Sequence, residues 1–377
     1  MAQSLSPEAA LERLFTTPLS ADWFAPSFLE EVPLGQVENI INELKVSLGA
    51  YSGIQRKLNR YQVQFELGTV PTHIALDANG QIVGLFFELP QRPFVSFDDV
   101  IQELQQFPGQ VNLLVLEGSS ELVALNADQP LAVGSTFKLV VLAALRQQIE
   151  AGQRFWSDVV ALQPEWKSLP SGFLHTWFDG ALLTLQTLAS LMISQSDNTA
   201  TDALIHIVGR EAVEAQLPDS SPYNRPFLTT REAFVLKAPE NQAVLQRYRA
   251  ADANQKRQIL AELAALPLPS ELSFSSEQVL ALDVEWFFTP RELCQLMAQV
   301  ADLPLMGIQP PPGLADRQAW SHVAYKDGSE PGVLNLTTWL AAPSGKTYCV
   351  SATWNDTVPL NAMRLSLYSS VLASLQP

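Results

Sequence analysis

The order of strand-like and helix-like segments constrains this chain more than any single residue does. VNLLVLE and ELVALN read as strands around the Gly118-Ser119-Ser120 turn. A mostly helical run then extends from about Ser135 to Met306. Only after it do strands return, as HVAYKDG, GVLNLTTWLAA and KTYCVSATW, the last two joined at Pro343-Ser344-Gly345. Strands on either side of so long a helical stretch imply one sheet built from both ends of the segment, with helices packed on it. Residues 238–270, rich in Ala, Gln, Glu, Arg and Lys, read as an exposed helical insertion. A final helix carries Met363, Leu365, Leu367 and Leu372.

The first 90 residues have a different pattern. Ser6 before Pro7 suits a helix start, cap then first position. Val37, Ile40, Ile41, Leu44 and Leu48 repeat at helical spacing, and Gly49 is placed to end that helix. The period then changes to two: Tyr61, Val63, Phe65 and Leu67 alternate. THIALDANGQIVGLFFEL reads as two strands about an Asn79-Gly80 turn. PQRPF (90–94) breaks the pattern and serves as a linker. The expected architecture is a two-domain α+β chain, with a small helix-on-antiparallel-sheet domain over 1–90 and a larger domain over 91–377.

Composition narrows the chemistry. With 47% hydrophobic and 16% charged residues the chain can bury a large core, so disorder is excluded for the bulk of it. A net charge of −16 argues against nucleic-acid and anionic-membrane partners, which need clustered Lys and Arg. Cys294 and Cys349 fit no metal spacing; they read as buried small hydrophobes, a single disulfide being the alternative. The histidines at 73, 175, 206 and 322 are scattered, so neither a metal nor another cofactor is expected. The N-terminal MAQSLSPEAALERLF lacks a signal-peptide pattern, and no apolar run reaches a membrane span. The expected location is therefore cytoplasmic, unless an export signal was removed.

The segment VGSTFKLV (133–140) places Ser135 and Lys138 three positions apart, on one face if the segment is helical. They could be a helix cap and a surface lysine. They could equally be a nucleophile and its base, because a lysine buried on an apolar helix loses proton affinity. Ser196-Asp197-Asn198 and Lys326-Asp327-Gly328-Ser329 tip the balance. Together the three elements resemble the S-x-x-K, S-D-N and K-[ST]-G motifs of class A β-lactamases and penicillin-binding proteins, over roughly residues 95–377.

That resemblance implies an antiparallel sheet flanked by a helical region, with the site at their junction. Ser135 would be the nucleophile that carries the acyl group and Lys138 its general base. Ser196 would relay a proton to the leaving group, and Lys326 would supply positive charge. Asn198 would bind the substrate's side-chain amide, and Asp327, Gly328 and Ser329 would line the binding strand. Backbone N–H groups of Ser135 and Ser329 would form the oxyanion hole. Asp197 reads as structural, holding its loop through backbone hydrogen bonds. Two departures stand out. Asp327 replaces the family's hydroxyl, where a carboxylate would repel a carboxylate substrate. Glu232 lies near the position of the water-activating glutamate, yet Thr229 and Glu232 also form a capping box, and Leu236 stands where an asparagine is usual. Both readings of Glu232 stay open.

The small first domain resembles the NTF2 or cystatin type. The pairing of such a domain with a β-lactamase-like one resembles the accessory proteins of clavulanic-acid biosynthesis. The expected function is serine acyl transfer on a small β-lactam, ester or amide. The alternative is a weak or inactive binding protein that keeps the site for recognition.

Overall fold

The structure, a computed structural model, describes residues 5–58, 60–88, 90–217, 223–274, 278–308, 314–315, 318–360 and 365–377. Its contacts divide into two compact units. One comprises 1–100, 311–316 and 361–377, the other 101–310 and 317–360.

In the first unit, α1 (Pro7–Thr16) opens on Ser6, whose hydroxyl accepts from the Ala9 N–H at 3.2 Å. After the short α2 (Pro26–Glu31), α3 (Leu34–Leu48) buries Val37, Ile41, Leu44 and Leu48, a stripe at helical spacing. It stops at Gly49, whose φ of +81° suits glycine alone without strain. β1 (Tyr51–Lys57), β2 (Arg60–Phe65), β3 (Gly68–Leu76) and β4 (Ile82–Phe87) then form an antiparallel meander. Its core combines Leu11, Leu14 and Phe15 of α1 with the α3 stripe and Val63, Phe65, Val70 and Ile82 of the strands. Each such side chain contributes about 1.5–3 kcal/mol when removed from water. β1 was not expected from the sequence: YSGIQRK lacks a clean alternation, and pairing with β2 makes it a strand. The C-terminal helix, Leu365–Ser374, groups with this unit. There Ser369 Oγ donates to the Pro90 carbonyl at 3.0 Å. Met363, expected on that helix, lies outside the described residues.

The boundary between the units falls within α4 (Phe97–Gln105), and the first strands of the second unit are β5 (Gln110–Glu117) and β6 (Ser120–Leu125), followed by the two-residue β7 (Leu131–Ala132). A helical region succeeds them: α5 (Lys138–Glu150), the hairpin of β8 (Val159–Ala161) and β9 (Leu182–Thr184), then α6 (Leu185–Ser194), α7 (Asn198–Val208), α8 (Arg210–Glu214) and α9 (Thr230–Lys237). α10 (Gln242–Ala250) and α11 (Ala253–Leu263) occupy the stretch expected to be a helical insertion. β10 (Phe287–Phe288) pairs with β7, and α12 (Pro290–Val300) precedes β11 (His322–Glu330), β12 (Val333–Ala341) and β13 (Thr347–Asn355).

The five long strands order as β11-β12-β13-β5-β6, all antiparallel, so the early and late strands do share one sheet. α5 is buried on almost every side, from Lys138 to Leu145, as expected of a helix enclosed by others. α12 packs on β5, β12 and β13. There the structure corrects the preferred reading of the cysteines. Cys294 of α12 and Cys349 of β13 are joined in a disulfide, their Cα atoms 5.9 Å apart. Both sulfurs are as buried as small hydrophobes would be. Burial was legible from the sequence; their proximity depends on a helix–sheet contact that spacing does not reveal.

Candidate active site

Ser135 lies not inside the helix but on a single 3₁₀ turn, Gly134–Phe137, that leads into α5 at Lys138. The turn runs against β11 backbone to backbone. Gly134 has φ +49°, and a Cβ on it would come within 3.1 Å of the Ser329 nitrogen. A Cβ on Gly328 would fall 2.5 Å from the Ser135 nitrogen and 2.0 Å from the Val133 carbonyl oxygen. Glycine at both positions is thus what brings the backbone nitrogens of Ser135 and Ser329 to one seam.

One turn beyond Ser135, Lys138 is fully buried. Its ammonium donates to the Ser196 carbonyl, to Ser196 Oγ at 3.1 Å and to Asn198 Oδ1 at 2.7 Å. None of these partners is charged. Burial therefore lowers its pKa well below the ordinary lysine value, and the charge of Lys326 lowers it further. Asp197, Asp202 and Asp327 pull the other way. Lys326, also buried, reaches the same hydroxyl: its Nζ lies 3.1 Å from Ser196 Oγ and donates to the Asp327 carbonyl at 2.7 Å. Burial depresses this pKa too, against the opposing charge of Asp327. One serine hydroxyl thus sits between two desolvated amines.

Ser196 is held there by backbone. Its φ of +51° is uncommon for a residue with a Cβ. Asp197 caps α7, its Oδ1 accepting from Ala200 N at 2.9 Å, while Oδ2 accepts from Phe173 N and Leu174 N at 2.7 and 2.9 Å. Asn198 uses Oδ1 for Lys138 and one Nδ2 hydrogen for the Leu169 carbonyl. Asp327 is half exposed, with Oδ1 3.5 Å from Lys326 Nζ.

A cavity of about 330 Å³ opens beside Ser135, lined also by Asn198, Thr230, Lys237, Ser329 and Glu330. Glu232 is not in its lining. The α9 residues that do line it, Thr230, Ala233, Phe234 and Lys237, follow the i, i+3, i+4, i+7 stripe of one helix face, and position 232 falls on the other. The Glu232 carboxylate is bound elsewhere. Oε2 accepts from Thr229 N at 2.8 Å, completing the capping box, and Oε1 pairs with Arg210 Nη2 at 2.6 Å.

Two residues of this region were not singled out from the sequence. Thr230 Oγ1 bonds Ser168 Oγ at 2.7 Å and Asp202 Oδ1 at 2.9 Å. Asp202 also accepts from the Thr230 and Arg231 backbone, and burial pushes its pKa up to about 7. An aspartate four positions after Asn198, within the apolar run ATDALI, was the available signal for it.

Residues 96–264 match the family model described as the Beta-lactamase enzyme family. Among solved structures, the chain is similar to a beta-lactamase from Sphaerobacter thermophilus at 22% identity, covering 74% of this chain and 94% of that one, with a TM-score of 0.48. It is similar to a representative class A beta-lactamase from Bacteroides cellulosilyticus at 16% identity, covering 74% and 95%, with a TM-score of 0.47. It is also similar to PBP-A at 17% identity, covering 76% and 98%, with a TM-score of 0.46. A comparison with curated protein sequences gives no match.

Proposed function

We propose that the second unit is a serine acyl-transfer enzyme acting on a β-lactam, an ester or an amide through an acyl-enzyme on Ser135. The observation that carries the reading is Ser196 Oγ at 3.1 Å from both Lys138 and Lys326, with Lys138 desolvated one turn from Ser135. The family match of residues 96–264 supports it. Neutral Lys138 takes the Ser135 proton as Oγ attacks the carbonyl carbon. The developing oxyanion is met by the backbone N–H groups of Ser135 and Ser329, where one lost donor costs roughly 3 kcal/mol. Ser196 then passes its proton to the leaving group and regains one from the Lys138 ammonium. Lys326 favours the negative charge that builds up across the site.

Hydrolysis of the acyl-enzyme is the slow step in this reading. Glu232 is bound to Thr229 and Arg210, and the one carboxylate lining the cavity among the described residues, Glu330, is paired with Lys237 at 2.7 Å. A disulfide persists in oxidising compartments, so Cys294–Cys349 supports action outside the reducing cytosol. For the first unit, helices beside a four-stranded antiparallel meander support the NTF2 or cystatin type, and with it the likeness to clavulanic-acid accessory proteins.

The test is turnover of a chromogenic cephalosporin and of p-nitrophenyl butyrate by the wild type and by Ser135→Ala. Turnover abolished by the substitution is expected; turnover that survives it would overturn the assignment. A binding role is the second reading, favoured by Asp327 beside Lys326 and by the turned-away Glu232. It requires saturable ligand binding that persists in Ser135→Ala, with no acylation in the wild type.

A further inference from the structure

Much of the wall of the cavity is apolar. Phe137 stacks on Trp286 with ring centroids 3.9 Å apart, and the indole N–H is satisfied by the Leu228 carbonyl at 3.1 Å. Trp286 therefore needs nothing polar from an occupant. Phe234 of α9 meets Phe274 edge to face, centroids 5.2 Å apart at 77°. Leu280 and Pro331 extend the same surface. Phe234, Phe274 and Leu280 are only partly buried, although large apolar side chains gain by being covered. Phe274 and Leu280 lie beyond residue 264, where the family match ends.

The charged groups lining the wall offer an anion no free partner. Lys237, the one lysine lining the cavity among the described residues, is buried and paired with both Glu285 and Glu330. Its charge is thus already engaged by neighbouring carboxylates. An acyl group bearing its own carboxylate would face Glu330 there and find no unpaired cation among the described lining residues.

We infer that the cavity is an acyl pocket that selects uncharged, apolar acyl groups of medium length, the wall formed by Phe234, Phe274 and Leu280 setting the preference. This rests on Ser135 as the nucleophile, and it adds the substrate class. On that chemistry the preferred substrates are esters or amides of aliphatic or aryl-substituted acids rather than of dicarboxylic acids.

The experiment measures kcat/KM for p-nitrophenyl acetate, butyrate, hexanoate and the succinate half-ester, with intact mass read after each incubation. Burial of each added methylene is expected to raise kcat/KM about fourfold from acetate to hexanoate. The succinate half-ester should fall at least tenfold below butyrate. Phe274→Ala should lower the hexanoate-to-acetate ratio at least tenfold. Leu280→Trp, which fills space instead of emptying it, should move the optimum to a shorter chain and guards against a folding defect in the first variant. A flat chain-length profile with an adduct on Ser135 would overturn the pocket while leaving the nucleophile in place. An absence of acylation by every ester would overturn both.

Discussion

Ser196 Oγ stands 3.1 Å from each of two buried ammonium groups, an arrangement unstable for two full charges in a site without a carboxylate in direct contact with Lys138. Lys138, one turn along the chain from Ser135, has its pKa lowered well below the ordinary lysine value. Only unprotonated Lys138 accepts a proton, so acylation should rise as pH rises through a value well below the ordinary lysine pKa, then level off. The groups that set that limb are Lys326, Asp197, Asp202 and Asp327. Asp327→Asn removes a charge that favours the ammonium and should move the limb to lower pH. Lys326→Met removes a like charge and should move it to higher pH, whatever it does to the plateau. A pH profile of kcat/KM for each variant reads this out; limbs that stay where the wild type has them would contradict the pairing. Glu232 makes the opposite case. Glu232→Ala should cost about 1–3 kcal/mol of stability, through the lost cap and an unpaired Arg210, in a denaturant titration. The acylation and deacylation rates should be unchanged, and a deacylation rate lowered tenfold would restore Glu232 as the base.

At the scale of elements, what decides whether a motif residue reaches the site is the face of the element that carries it. The sequence placed Glu232 near the right distance along the chain, but distance does not say which side of α9 lines the cavity. The capping box was legible because it is local: Thr229 and Glu232 meet within one turn. The stripe of Thr230, Ala233, Phe234 and Lys237 acquires meaning only once α9 lies against the cavity. β1 shows the same limit, since its partner supplies the strand character that YSGIQRK lacks. The disulfide is the third instance, two cysteines brought together by α12 crossing the sheet. Closing 55 residues, it should stabilise the fold by about 4 kcal/mol in the chain-entropy treatment. The double variant Cys294→Ala/Cys349→Ala should lose stability of that order in a denaturant titration. An unchanged midpoint would show that the bridge adds nothing to the native state.

Across the whole molecule, that early and late strands share one sheet was legible in the pattern of strands, helices and strands, while the order β11-β12-β13-β5-β6 depends on pairings the pattern does not fix. The three motif segments are brought together by that order. β11 carries Lys326 on the sheet edge, and the turn before α5 and the start of α7 deliver Ser135, Ser196 and Asn198 to it. The cavity wall was not legible, since Phe274 and Leu280 come from a segment that no motif marks. The central claim is that Ser135 is acylated by this assembly and released slowly. Its most direct measurement is an intact-mass time course after mixing the protein with a slight excess of p-nitrophenyl hexanoate, an acyl donor without a carboxylate. The expected result is one adduct of the mass of the hexanoyl group, formed in the wild type, retained after free ester is removed, and absent from Ser135→Ala. No adduct in the wild type, or an equal adduct in Ser135→Ala, would contradict it.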